Sequence, residues 1–91
     1  MNYSQDLLNQ IKELAEALTP ITEIGVLLEL NERELRDDIN TIDNPARKAY
    51  YTGFAKTALE VRKRNIELSK AGSPSADEAV RGYINKLMRD L

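Results

Sequence analysis

The chain contains neither cysteine nor histidine in its 91 residues. The first absence excludes disulfides and thiolate chemistry. The second removes the usual proton shuttle near neutral pH, and together they remove the usual zinc ligands. Tryptophan is also missing, and one Phe and four Tyr supply all the aromatic bulk, so the interior is expected to be aliphatic. The longest uninterrupted apolar run, Ile24 to Leu28, falls far short of a bilayer span. The start, "MNYSQDLLNQ", has neither the basic nor the apolar region of a secretion signal. These absences point to a soluble intracellular protein with no membrane partner. Its length allows one small domain, or one plus an appended element.

The remaining polar residues form no recognisable reaction centre. Asp37 and Asp38 are adjacent, so on a helix their side chains point about 100° apart and do not converge on one bond or metal ion. Ser73 and Ser75 have no histidine to activate them, and "AGSP" lacks the glycine array of a phosphate loop. The expectation is a protein that is not an enzyme and takes no cofactor or metal.

Charge is divided unevenly. Met1 to Asp43 holds three basic residues (Lys12, Arg33, Arg36) against ten acidic ones, a balance of -7, whereas Asn44 to Leu91 holds ten basic against five acidic, a balance of +5. Halves of opposite sign meet different partners, or each other.

Helix boundaries are marked by residue chemistry. Each proline follows a residue able to cap a helix: Thr19-Pro20, Asn44-Pro45 and Ser73-Pro74. Asn31, with Glu34 three residues on, resembles a reciprocal capping box. These signals predict five helices and no strand, over Ser4 to Leu18, Pro20 to Leu28, Glu32 to Asn40, Pro45 to Ala71 and Pro74 to Leu91. The fourth would extend for roughly 40 Å at 1.5 Å per residue. The joint "AGSP" turns it sharply into the fifth, giving an antiparallel hairpin. The expected fold is all-α: a helix-turn-helix-like three-helix unit over residues 1–43, then a helical hairpin over 44–91 that serves as the oligomerisation element.

The second and third helices have the pattern of a DNA-reading helix-turn-helix. Gly25 offers a small residue for a close crossing, and Ile24, Leu28, Leu30 and Leu35 fill the space between. Two positions depart from the pattern. Glu29 occupies a turn position suited to glycine, where a left-handed backbone would be strained, and Asp38 stands where an apolar residue is usual. An ordinary helix pair packed around Gly25 is the plainer alternative. On the outward face, Arg33 and Arg36 suit guanine edges or phosphates and Asn31 suits adenine. Glu32, Glu34, Asp37 and Asp38 oppose that attraction, so weak, salt-sensitive binding to double-stranded DNA is expected of each copy.

The fourth helix is basic. Lys56, Lys63 and Lys70 recur every seven residues with Glu60 and Glu67 between them, which suits a solvated face laced with weak ion pairs. Arg62 instead falls within a broad apolar arc, and Arg62, Lys63 and Arg64 are further candidates for phosphate contact. Tyr50, Tyr51, Phe54, Leu59 and Ile66 on this arc, with Tyr83 and Leu87 on the fifth helix, are the candidate oligomer interface. A neighbouring copy would cover the surplus apolar face. The rival is intramolecular, with the first helix folding back over the same arc.

The run "LTPITEIGVLLELNERELRDDI" followed by "ARKAYYTGFAKTALEVRKRNIELSKAGSPSADEAV" resembles the small subunit of phage terminases, over about residues 18–84. The resemblance implies a non-enzymatic oligomer in the cytoplasm of a bacterial host that recognises viral DNA for packaging and assists a large-subunit ATPase and nuclease. By position it makes Arg33 and Arg36 DNA-facing and the last two helices the oligomerisation hairpin. Two other functions suit the same helix pair: a protein-protein adaptor, and a small prophage transcription regulator acting as a dimer.

Overall fold

The computed structural model describes every residue from Met1 to Leu91 and contains only helices: α1 (Gln5–Glu16), α2 (Ile21–Leu27), α3 (Glu32–Ile39), α4 (Pro45–Lys70) and α5 (Pro74–Asp90). Four of the five begin at a side chain that accepts from an exposed amide of the first turn. Ser4 accepts from Leu7 N–H at 3.1 Å, Asn31 from Glu34 N–H at 3.0 Å, Asn44 from Ala46 N–H at 2.9 Å and Ser73 from Ala76 N–H at 3.3 Å. The exception is α2. Pro20 itself stands at the cap with no side-chain bond, and Thr19 instead donates its amide to Leu14 O at 3.0 Å. Thr19 therefore closes α1 rather than opening α2.

Three helices end in the same way, with one residue in the left-handed region and paired 6→1 and 5→2 backbone bonds. After α1, Leu18 has φ 60° and is followed by the Thr19–Leu14 bond. After α2, Glu29 has φ 55°, and Leu30 N–H reaches Gly25 O at 2.8 Å. After α4, Gly72 has φ 96°, and Ser73 N–H reaches Leu68 O at 3.1 Å. Only the last turn uses glycine, the residue that adopts this conformation without a steric penalty. The left-handed conformation anticipated at Glu29 is present, and Leu18 shares it.

The chain forms two compact units, Met1–Thr57 and Ala58–Leu91. The division falls inside α4, and not at the joint near residue 43 that the sequence marked. In the first unit Ile11 of α1, Ile24 of α2, Leu35 and Ile39 of α3 and Ala46 of α4 form one core. Tyr3, Leu7, Leu14, Ile21, Leu28, Leu30, Ala49 and Tyr50 pack around it. The opening turns of α4 are thus a fourth wall of this unit. Packing is closest at Gly53, where a Cβ would lie 2.1 Å from Lys12 O. Thr57 adds to the same seam by donating its hydroxyl to Glu16 O at the end of α1. The intramolecular alternative, α1 folding onto α4, describes this half of α4.

Gly25 is also buried, but a Cβ there would meet Glu32 Cα and Leu30 O at 3.6 Å, ordinary van der Waals contact. The approach of α2 to α3 expected at Gly25 is present as close contact, and a second, tighter approach, between α1 and α4, occurs at Gly53.

In the second unit α4 and α5 run antiparallel. Asn65 Nδ2 donates to the Tyr83 hydroxyl at 2.7 Å and, nearer the turn, the Ser69 hydroxyl donates to Asp77. Ala76 is the one buried residue of this unit. No helix of the chain is long and apolar enough to cross a membrane.

Candidate functional site

Leu35 and Ile39, four residues apart, fall on one face of α3 and are fully buried with Ile24 of α2. That anchoring leaves Asn31, Glu32, Arg33, Arg36 and Asp37 exposed around the opposite face. The two helices are held by the turn through Glu29 and by a polar clasp. Arg36 Nη2 donates to Glu32 Oε1 at 3.2 Å and to Thr22 Oγ1 at 3.3 Å, while the Thr22 hydroxyl donates to the same Glu32 oxygen. These donors hold the Glu32 carboxyl below the ordinary carboxylate range, the Thr22 bond first and Arg36 second.

The clasp separates the two arginines. Arg36 has its charge directed toward Glu32, whereas Arg33 forms no ion pair or hydrogen bond and projects from the first turn of α3. Asn31 spends Oδ1 on the cap to Glu34 N–H, leaving its amide Nδ2 as the group available to a base edge. Of the three outward candidates on α3, Arg33 is the unencumbered cation.

Asp38 is half-buried and accepts the Tyr3 hydroxyl at 2.5 Å. A carboxylate is accommodated at a normally apolar position because the segment before α1 supplies it with a donor. Partial burial raises the Tyr3 phenol above its ordinary pKa, and the hydrogen bond to Asp38 raises it further. Arg47 performs a related task at the other end of α3. Its Nη1 donates to Ile39 O at 2.8 Å, and its guanidinium lies 4.7 Å from the Tyr51 ring centre. Nothing in the sequence specified these partners for Tyr3 and Arg47, since both contacts depend on how α1 and α4 meet α3.

Among the aromatic candidates for an oligomer interface, Tyr50 packs against the first core, whereas Tyr51 and Phe54 remain exposed and stack edge to face at 6.4 Å. Lys56 pairs with Glu16 at 4.0 Å, and Lys70 pairs with Glu67 at 3.9 Å, both exposed. The alternating charges thus form in part the solvated face expected of them.

The second unit brings together residues from both parts of the hairpin. An open groove of about 1070 Å³ is floored by Leu59, Ile66, Val80, Tyr83, Ile84 and Leu87. Arg62, Lys63, Lys86 and Arg89 line it, with Asp90 the only acid among its lining residues. Ile84 and Leu87 remain 54% and 61% exposed. Arg62 and Lys63 therefore stand beside the candidate interface residues Leu59, Ile66, Tyr83 and Leu87. Arg64 is exposed but lies outside the groove lining, because three consecutive helical positions fan over about 200°. Lys86 and Arg89 complete the cationic rim. Neither was among the expected site residues, and their i, i+3 spacing around Leu87 is the signal by which they could be found.

No group of three or more acidic side chains is gathered in a way that could hold a metal ion. No protein-family model, curated protein or solved structure matches the chain.

Proposed function

We propose that the protein is a non-enzymatic, oligomeric DNA-binding protein, similar in role to the small subunit of a phage terminase, in which α2 and α3 meet double-stranded DNA. The observation that carries this reading is the division of α3 into a fully buried face, Leu35 and Ile39, and an outward face where Arg33 stands unpaired. A helix held in that way can enter a major groove without disturbing its own core. The clasp on Arg36 and the surrounding acids keep the attraction of one copy weak, so useful affinity requires several linked copies. The second unit supports such linkage, because a hairpin with one buried residue and an open apolar groove has surface that a neighbouring chain would cover. In this role the protein would recognise viral DNA and present it to a large ATPase and nuclease partner in a bacterial cell.

The test is mass in solution by light scattering, with duplex DNA binding followed across a salt series for the native chain and for Arg33→Ala. Assembly above one chain, DNA binding that weakens steeply with salt and a loss on Arg33→Ala are expected. A strict monomer that fails to bind DNA even at low salt would sink the proposal.

A second reading, a protein-protein adaptor, is favoured by one specific feature: Glu34 and Asp37 remain exposed on α3 while Arg36 is engaged by Glu32. Its mark is a stable protein complex that is indifferent to Arg33→Ala combined with Arg36→Ala.

A further inference from the structure

Val26 and Leu27 at the end of α2 are 74% and 61% exposed. Adjacent on the last turn of α2, the two form a small apolar protrusion that the first core leaves uncovered. Their neighbours are acidic. Glu23 lies one turn before them and Glu29 lies in the turn after them; the one cation bonded to α2 is Arg36, at Thr22, and its charge is engaged by Glu32. This is an apolar knob with an acidic surround.

The groove of the second unit is its chemical complement: an apolar floor with Arg62, Lys63, Lys86 and Arg89 along it. DNA has the sign to meet that rim but offers nothing apolar to cover Leu59, Ile66, Ile84 and Leu87. Pairing of two identical grooves would cover the floor but bring four cations of one copy against four of the next, relieved only by Asp90. An acidic knob satisfies both floor and rim. At 1.5 Å per residue α2 is about 10 Å long, and a groove of about 1070 Å³ has room for more than a single side chain.

We propose that Val26 and Leu27 of one copy, flanked by Glu23 and Glu29, dock in the Arg62–Arg89 groove of a second copy. This rests on the reading of the protein as an oligomer and specifies its contact. The contact is heterologous: each copy presents both a knob and a groove, so the assembly continues until it closes into a ring or ends as an open chain. The same docking would hold α3, joined to α2 through the Glu29 turn, beside the neighbour's hairpin.

The experiment uses two variants of the full chain. Val26→Ser with Leu27→Ser removes the apolar knob and places no new charge opposite either groove. Leu87→Glu with Arg89→Glu removes the groove. Each alone should lose self-association and show the mass of one chain, with helicity by circular dichroism confirming that it folds. Mixed in equal amounts they retain one intact knob and one intact groove, and should form a complex of two chains and no larger one. Should the groove variant unfold, Arg62→Glu with Arg89→Glu leaves the apolar floor intact and replaces it in the same mixture. A knob variant that assembles like the native chain, or a mixture that remains at one chain while the native chain assembles, overturns the docking and leaves the oligomeric reading standing. A native chain that is monomeric at every concentration overturns both.

Discussion

The Tyr3 hydroxyl donates to Asp38 at 2.5 Å, joining the segment before α1 to the third helix. It gives the carboxylate a donor in a half-buried position where unmatched charge would be costly. Tyr3→Phe should therefore destabilise the first unit by about 1 kcal/mol, the ordinary contribution of one such bond. Urea unfolding at pH 7 measures it. An unchanged midpoint would mean that the bond does no more than replace one with water.

The same phenol predicts a pH dependence. Its folded pKa is raised, so its contribution to stability is complete below the unfolded phenol value of about 10 and declines as pH rises above it. The stability difference between the native chain and Tyr3→Phe should be constant from pH 7 to 9 and shrink at higher pH. A difference that widened in alkali would reverse the assigned direction.

Two buried glycines should respond oppositely to alanine. At Gly53 a Cβ would overlap Lys12 O at 2.1 Å and lie 3.0 Å from Glu16 N. Backbone must move to admit it, so Gly53→Ala should cost about 3 kcal/mol, toward the upper end of overpacking. At Gly25 the nearest atoms are 3.6 Å away. Gly25→Ala should be neutral or stabilise by up to about 1 kcal/mol through helix propensity. Thermal unfolding of the two variants side by side makes the comparison, and equal losses would refute it.

That contrast shows what the sequence can and cannot specify. The helices were legible because their ends are local: Ser73, Asn44 and Asn31 each cap within three residues of themselves. Leu35 was legible as an inward position of α3 in the same way, whereas Ile39, one step past the usual apolar position held by Asp38, takes the second inward place. Tertiary choices were less legible. Gly25 lies against the start of α3 as its signature indicated, but the tightest approach, α1 on α4 at Gly53, had only a glycine inside a helix as its cue. The joint near residue 43 is rich in polar residues, but Ala46 of the next helix is fully buried in the first core, so contact and punctuation divide the chain differently. For the candidate DNA face, the arginines were visible in the sequence. The clasp that distinguishes Arg33 from Arg36 required Thr22, fourteen positions away from Arg36.

The left-handed turns yield a stabilising prediction. Leu18 and Glu29 hold φ 60° and 55°, a conformation costing a non-glycine residue roughly 1–2 kcal/mol. Leu18→Gly and Glu29→Gly relieve that cost but give the unfolded chain more freedom, so each should stabilise by about 0.5–1 kcal/mol net. Both side chains are exposed, so little packing is lost. Gly72→Ala, at φ 96°, should shift stability in the opposite direction. Denaturant midpoints for the three variants provide the check, and destabilisation by both glycine substitutions would show that the side chains matter more than the backbone strain.

The clasp on α3 predicts a gain of function under the DNA-binding proposal. Glu32 engages Arg36 at 3.2 Å and adds a negative charge to the surface that would face phosphate. Glu32→Gln removes that charge and weakens the hold on Arg36, while the amide oxygen can still accept from Thr22. Duplex DNA should bind more tightly, with a log-log salt dependence steeper by about 0.9 for one added phosphate contact. Arg33→Ala should do the reverse, weakening binding and flattening the dependence by a similar amount. Arg36→Ala in the native background should change little, and in the Glu32→Gln background it should abolish the gain. That pattern identifies the clasp as the restraint on affinity. Equal losses from Arg33→Ala and Arg36→Ala in the native chain would show instead that Glu32 does not hold Arg36 away from DNA.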